Sequence, residues 1–171
     1  KIFERNLELI LRLWTEDSVT VQVDDLNLRR AVLQPKPFQK PRPPVLIGGY
    51  VDAVLRRVAR MGDGWLTYFY TPEGFASAWE RVLAFAREYG RDPSTLSATN
   101  QLAIYVGPPK SEADPPMREW LSTEWDVSKW SDSTVEHAIC GTPEECVAQL
   151  RPHIDAGIHR LVLLPYRYQP E

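Results

Sequence analysis

Residues 43–65 read PPVLIGGYVDAVLRRVARMGDGW, and within them Gly48, Gly49, Tyr50 and Val51 are best placed for chemistry. An apolar run, Val45-Leu46-Ile47, stops at the two glycines, and a helical pattern starts directly afterwards. A strand, a glycine turn and a helix start in that order leave backbone N–H groups facing outward. No Cβ stands in the way, and the positive end of a helix dipole lies behind them. An oxyanion, above all a phosphate, suits such a loop. A tight strand-to-helix turn that keeps glycine for packing alone suits the same residues.

Other residues offer less. Asp63 lies between Gly62 and Gly64 at the amino edge of a strand, where a turn or capping role is expected rather than catalysis. Tyr68, Phe69, Tyr70, Tyr105 and Tyr166 fall at carboxyl ends of strands. There they would line a pocket for a ring or apolar substrate, or join the core or a subunit interface. Arg167, just past the last strand, would meet an anion or solvent. Of the histidines, His153 is expected to face out of or along a late helix, and His159 opens a strand at its non-catalytic end; only His137, before Gly141, could approach a site. Trp120, Trp125 and Trp130 recur every five residues, which matches no single helix face, and Arg56, Arg57 and Arg60 read as a solvated face. Cys140 and Cys146 lack CxxC spacing and histidine partners. No metal site is expected, and catalytic residues are left unassigned.

The elements that must position the glycine loop follow from periodicity. Phe3, Leu7, Ile10, Leu11 and Trp14 recur at helical spacing, and residues 18–25 alternate like a half-exposed strand. Residues 34–44 carry five prolines and read as an extended connector. Strands are expected at 45–49, 64–70, 96–107 and 159–165, with a helix over 51–61 carrying Val54, Leu55, Val58 and Met61 inward. Thr71-Pro72-Glu73 opens a second helix, with Phe75, Trp79, Val82, Phe85, Ala86 and Tyr89 inward and an end at Gly90. Residues 108–130 form a proline- and tryptophan-bearing excursion with some helix, and Thr142 with Glu145 spells a capping box. Near-continuous apolar strands alternating with helices predict an α/β fold with a parallel sheet.

The chain has 171 residues, 43% hydrophobic and 25% charged, ordinary values for a globular domain. That is short of the roughly 200–250 residues of a complete β/α barrel. A net charge of -3 gives no reason to expect nucleic acid or an anionic membrane as partner. No apolar run nears the ~18 residues that span a bilayer, and the unpaired cysteines suit the reducing cytoplasm.

The segments LELILRLWTEDSVT, QPKPFQKPRPPVLIGG, LRRVARMGDGW, AREYGRDPSTL and GTPEECVAQLRPHIDAGIHRLVLLP together resemble the C-terminal half of the luciferase-like monooxygenase family. The resemblance implies a TIM-like barrel of which residues 1–171 supply strands five to eight, at 44–48, 64–69, 97–106 and 160–165, as a single partial domain, its N-terminal half absent. A first residue already inside a helical pattern agrees with that expectation. The family implies an oxidoreductase using FMN or the deazaflavin coenzyme F420, with the cofactor phosphate at Gly48-Gly49-Tyr50-Val51 and a small molecule as substrate. Relatives often carry Ser or Thr just after the glycine pair; here Tyr50, Val51 and Asp52 stand there, and an inward Asp52 would repel a phosphate. Turnover by this chain alone is not expected, and it should dimerise or pair with the missing half. A non-catalytic half-barrel that dimerises and a small phosphate-ligand binding module are the alternatives.

Overall fold

The computed structural model describes residues 2–23, 26–124 and 138–167, so Trp125, Trp130 and His137 lie outside the described residues. The chain divides into two compact units, Lys1–Pro44 and Val45–Glu171.

In the first unit, helix α1 (Ile2–Thr15) is followed by strands β1 (Val19–Val23) and β2 (Leu26–Ala31), paired antiparallel. Only Leu7 of the α1 apolar stripe is buried, while Phe3 and Ile10 stay exposed. The Lys36 ammonium donates to the carbonyls of Leu13 and Glu16 and so closes the helix C-terminus. Residues 18–25 were expected to hold a strand, but β2 was not anticipated. Its LNLRRA sequence is too polar to register as a strand until β1 pairs with it.

The second unit is a five-stranded parallel sheet with helices. Its elements are β3 (Leu46–Gly48), α2 (Asp52–Met61), β4 (Gly64–Tyr68), α3 (Pro72–Glu88), β5 (Ser97–Val106), α4 (Lys110–Glu124), β6 (Ile139–Gly141), α5 (Pro143–Asp155) and β7 (Arg160–Pro165). The long strand β5 is the hub. Thr99 pairs with Leu66 and Arg160, and Ile104 pairs with Ile139 and Pro165. Thus β7 runs along one edge of β5, while β4 and then β6 share the other. The short strand β6 is an addition to the expected four; three residues are too few for a periodicity to show.

Register and alternation assign the two faces. Trp65, Thr67, Asn100, Leu102 and Leu161 share one face, which α3 and α5 cover: Trp65 stacks on Phe75 at 5.1 Å, and Leu102, Ile139 and Cys146 form a buried cluster. Tyr68, Ala103, Tyr105 and Leu164 share the other, where Met117, Trp120 and Leu121 of α4 pack.

Local sequence explains the helix boundaries. The Thr71 hydroxyl accepts from the Gly74 N–H at 2.9 Å with Pro72 at the first helical position, and Thr142 with Glu145 makes a reciprocal capping box. Two expectations need correction. Tyr89 is exposed, because it lies beyond the last turn of α3 as its C-cap. His153 is buried, because it follows Cys146 by seven residues, two turns along the inward face of α5. The helix expected within the excursion at 108–130 is α4, and Pro115 and Pro116 sit inside it, since burial of Ala113, Met117, Trp120 and Leu121 outweighs the two lost backbone hydrogen bonds.

Candidate functional site

The parallel strands deliver Gly48-Gly49-Tyr50-Val51 to the carboxyl edge of the sheet, where α/β folds receive ligands. Gly49 has φ +136°, a backbone conformation open mainly to glycine, and an added Cβ would lie 2.8 Å from Val54 Cγ1. The loop therefore needs this glycine for its own geometry. Its carbonyl is held by the indole N–H of fully buried Trp65 at 2.9 Å. Trp65 was read only as a strand residue; its link to the loop depends on the pairing of Ile47 with Trp65, which sequence alone does not show.

The start of α2 differs from the other helix starts of this unit among the described residues. Val51 is its N-cap and offers no side-chain hydrogen bond. By contrast α3 has Thr71, α5 has Thr142, and the Lys110 N–H of α4 donates to Glu145 Oε2 at 2.9 Å. No side chain therefore closes the start of α2; the Val54 N–H turns back onto the Val51 carbonyl at 2.8 Å instead. Asp52 does not turn onto this helix start; its carboxylate pairs with Arg81 of α3. Arg81 was not singled out beforehand, because nothing but the packing of α2 on α3 brings the two together.

Tyr50 turns away from the loop into a tyrosine cluster. Its ring meets Tyr68 edge-on at 5.1 Å and stacks on Tyr70 at 5.4 Å, and its hydroxyl donates to the Tyr68 carbonyl at 3.4 Å. Burial, and then contact with Tyr68, push the Tyr50 hydroxyl far above the ordinary phenol range, so it stays a neutral donor. The expected aromatic residues at the carboxyl ends fall into two groups: Tyr68 and Tyr70 around Tyr50, and Phe69, Tyr105 and Tyr166 under α4. Phe69 and Arg167, the residues just past β4 and Tyr166, have φ of +54° and +45°, sparsely populated for side-chain-bearing residues. Asn100, buried between these loops and the helices, donates to the Tyr70 carbonyl at 3.3 Å.

The remaining candidates are structural. Asp63 accepts from the Val45 N–H at 2.6 Å and ties β3 to β4 at the amino edge. His159 Nδ1 accepts from the Ala98 N–H at 3.0 Å. Arg56 binds Glu88 and lies over the Phe85 ring at 3.8 Å. Cys140 and Cys146 are buried free thiols that burial pushes up, which makes them poor nucleophiles. No group of three or more metal-ligating side chains occurs among the described residues, and none of their helices is long and apolar enough to cross a membrane.

Fold and edge together define an α/β protein that presents a glycine loop, a helix start without a side-chain cap and two aromatic clusters along the carboxyl ends of parallel strands. The chain belongs to the luciferase-like monooxygenase family, whose model matches residues 2–160. It is 25% identical over 180 residues to the F420-dependent glucose-6-phosphate dehydrogenase of Amycolatopsis mediterranei (strain U-32), covering 92% of this chain and 53% of that protein. Among solved structures it is similar to an F420-dependent secondary alcohol dehydrogenase in complex with an F420-acetone adduct, with TM-score 0.78, 19% identity, and 94% and 54% of the two chains covered. It is also similar to the monooxygenase RslO1 from Streptomyces bottropensis, with TM-score 0.74, 20% identity, and 94% and 52% covered. The chain spans about half the length of these relatives.

Proposed function

We propose that this chain is the cofactor-phosphate-binding part of an F420-dependent oxidoreductase, with FMN as the second choice of cofactor. β3, β4, β5 and β7 act as the fifth to eighth strands of a β/α barrel, and backbone N–H groups of Gly49, Tyr50 and Val51 hold the phosphate. The observation that carries this reading is the start of α2, without a side-chain cap, behind a glycine loop, in a unit whose other described α-helix starts are closed by Thr71, Thr142 and Glu145. With Asp52 turned onto Arg81, no carboxylate opposes an anion there. Two of the relatives named above are F420-dependent, which favours the deazaflavin. When bound, the cofactor supplies the hydride chemistry; the residues of this chain orient it and exclude water. The tyrosine hydroxyl, pushed up and tied to a carbonyl, holds its own proton and shapes the wall. Exposed apolar residues on β7, Val162 and Leu163, suit pairing with a complementary half-barrel or a second copy, and catalysis requires that partner. Two buried free thiols suit a cytoplasmic protein.

The test compares Gly49→Ala with Gly49→Asp. Both place the same Cβ against Val54 at the same strained φ, so their stability losses are alike. Only the aspartate adds a charge at the loop. F420 titration should show the aspartate variant losing at least about tenfold more affinity than the alanine variant, the effect of ~1.4 kcal/mol of repulsion. Equal affinities would place the phosphate elsewhere.

A further inference from the structure

The first unit holds a cavity of its own, about 190 Å³ in volume, between α1 and the β1–β2 hairpin. Arg5, Glu8, Leu9 and Arg12 of the helix form its wall, and Val21, Val23 and Leu26 of the hairpin form its floor. The four helix residues keep the spacing i, i+3, i+4 and i+7 and so share one face. That face is turned away from the apolar stripe of Phe3, Leu7, Ile10 and Trp14. On the hairpin, Val21 and Val23 alternate along β1, and Val23 pairs with Leu26, so all three point to one side. A charged helix face therefore stands against an apolar hairpin face, and neither fills the space between them.

The charges of the wall are not matched to one another. Arg12 gives Nε and Nη2 to Glu16, at 2.7 and 3.0 Å, which leaves its Nη1 amino group open among the described residues. Arg5 donates its Nε to Asn6 Oδ1 at 3.3 Å. Glu8 follows Arg5 by three residues and precedes Arg12 by four, spacings at which helical side chains meet. It nevertheless pairs with neither, and its carboxylate has no partner among the described residues. A guanidinium donor and an open carboxylate one helical turn apart, over an apolar floor, are the complement of a zwitterion with an apolar tail.

We infer that this cavity binds a small aliphatic α-amino acid, with its carboxylate on Arg12 Nη1, its ammonium on Glu8, and its side chain against Val21, Val23 and Leu26. Roughly 150 Å³ holds a benzene ring, so about 190 Å³ takes a leucine-sized side chain with the charged groups at the mouth. A bare carboxylic acid would face Glu8 uncompensated, and a bare amine would face Arg12; the zwitterion satisfies both. Both charged contacts lie at the surface, which sets the affinity in the millimolar range for a ligand of about nine non-hydrogen atoms. The site uses the first unit alone and does not depend on the cofactor reading.

The test follows the amide resonances of the full chain by two-dimensional NMR during titration with L-leucine, and separately with 4-methylpentanoate, 3-methylbutylamine and glycine. L-leucine is expected to shift Arg5, Glu8, Leu9, Arg12, Val21, Val23 and Leu26 and to saturate in the millimolar range. The acid and the amine each lack one charged group and are expected to bind at least about fivefold more weakly, the effect of losing one surface ion pair. Glycine, without a tail for the apolar floor, is expected not to saturate. Glu8→Gln should weaken leucine by a similar factor while 4-methylpentanoate binds no more weakly than before. Arg12→Gln should weaken leucine while 3-methylbutylamine binds no more weakly. Absence of leucine-dependent shifts at these residues would overturn the inference, as would an acid or amine that binds as tightly as leucine. So would a folded Glu8→Gln chain, checked by circular dichroism, with wild-type leucine affinity. If a variant does not fold, the ligand series on the wild type decides.

Discussion

Gly64 offers a direct measure of how closely the parallel strands pack. It pairs with Leu46 on β3 and Ser97 on β5, and its backbone is not in a left-handed conformation. A Cβ added there would overlap both the hydroxyl and the carbonyl oxygen of Ser97 and would lie 2.8 Å from Leu46 Cδ2. The hydroxyl can rotate away; the carbonyl belongs to the ladder. Relief therefore means parting β4 from β5 near their amino ends, where the Ser97 N–H donates to the Asp63 carbonyl at 3.0 Å. Overpacking of this kind costs about 1–3 kcal/mol, and weakening one adjoining hydrogen bond adds roughly 0.5–1.5. Gly64→Ala should lose about 3 kcal/mol, or roughly 6–12 °C in Tm for a chain of this size. Denaturant unfolding of wild type, Gly64→Ala, Ser97→Ala and the double variant would check the sum. Ser97→Ala should rescue only part of the loss, since the carbonyl stays. A Gly64→Ala chain within about 0.5 kcal/mol of wild type would refute the close approach, because surface-type tolerance is of that order.

Glu145 Oε2 accepts from the Thr142 N–H at 2.8 Å and the Lys110 N–H at 2.9 Å, so Glu145→Ala should cost about 2 kcal/mol against ~1 for Thr142→Ala in the same unfolding assay. At Asp114, burial pushes the carboxyl up, but the hydrogen bond and charge of Arg118, and then Lys110, outweigh it and hold the group below its ordinary value. Since the folded value is the lower one, its stabilisation is present above the unfolded value near 3.9 and is lost as pH falls through the folded value. The Tm of wild type should therefore fall more steeply below about pH 4 than that of Asp114→Asn; parallel profiles would contradict the ion pair.

Much of the second unit was legible because its signals are local. The Thr71 and Thr142 caps depend on three or four neighbouring residues, and the runs 64–69 and 97–106 are apolar enough to announce buried strands. The parallel pairing expected from them is present. What escaped depends on residues far apart in sequence. β6 exists because Ile104 to Val106 offer it an edge, and the pairing of Asp52 with Arg81 waits for α2 to meet α3. The burial of His153 was within reach, since Cys146 and His153 keep helical spacing; a preference for solvent-facing histidine hid it. At the loop, the strand–glycine–helix order was plain, whereas the turning of Tyr50 into Tyr68 and Tyr70 was not, because β4 and the loop meet only in the folded sheet.

The central place of β5 has a kinetic consequence. Its neighbours come from residues 64–68, 139–141 and 160–165, and none can be reached by a hairpin. The contact between Ala98 and His159 closes a span of 61 residues. The entropy of such closure is spent before the ladder returns any stability, so the pairing of β5 with β7 governs how fast the sheet forms. The β1–β2 hairpin, by contrast, closes across a few residues and can open and reclose many times during that wait. Amides in the middle of β5, bonded on both edges, would exchange with solvent only when the whole sheet comes apart, while those of the hairpin exchange through its own brief openings.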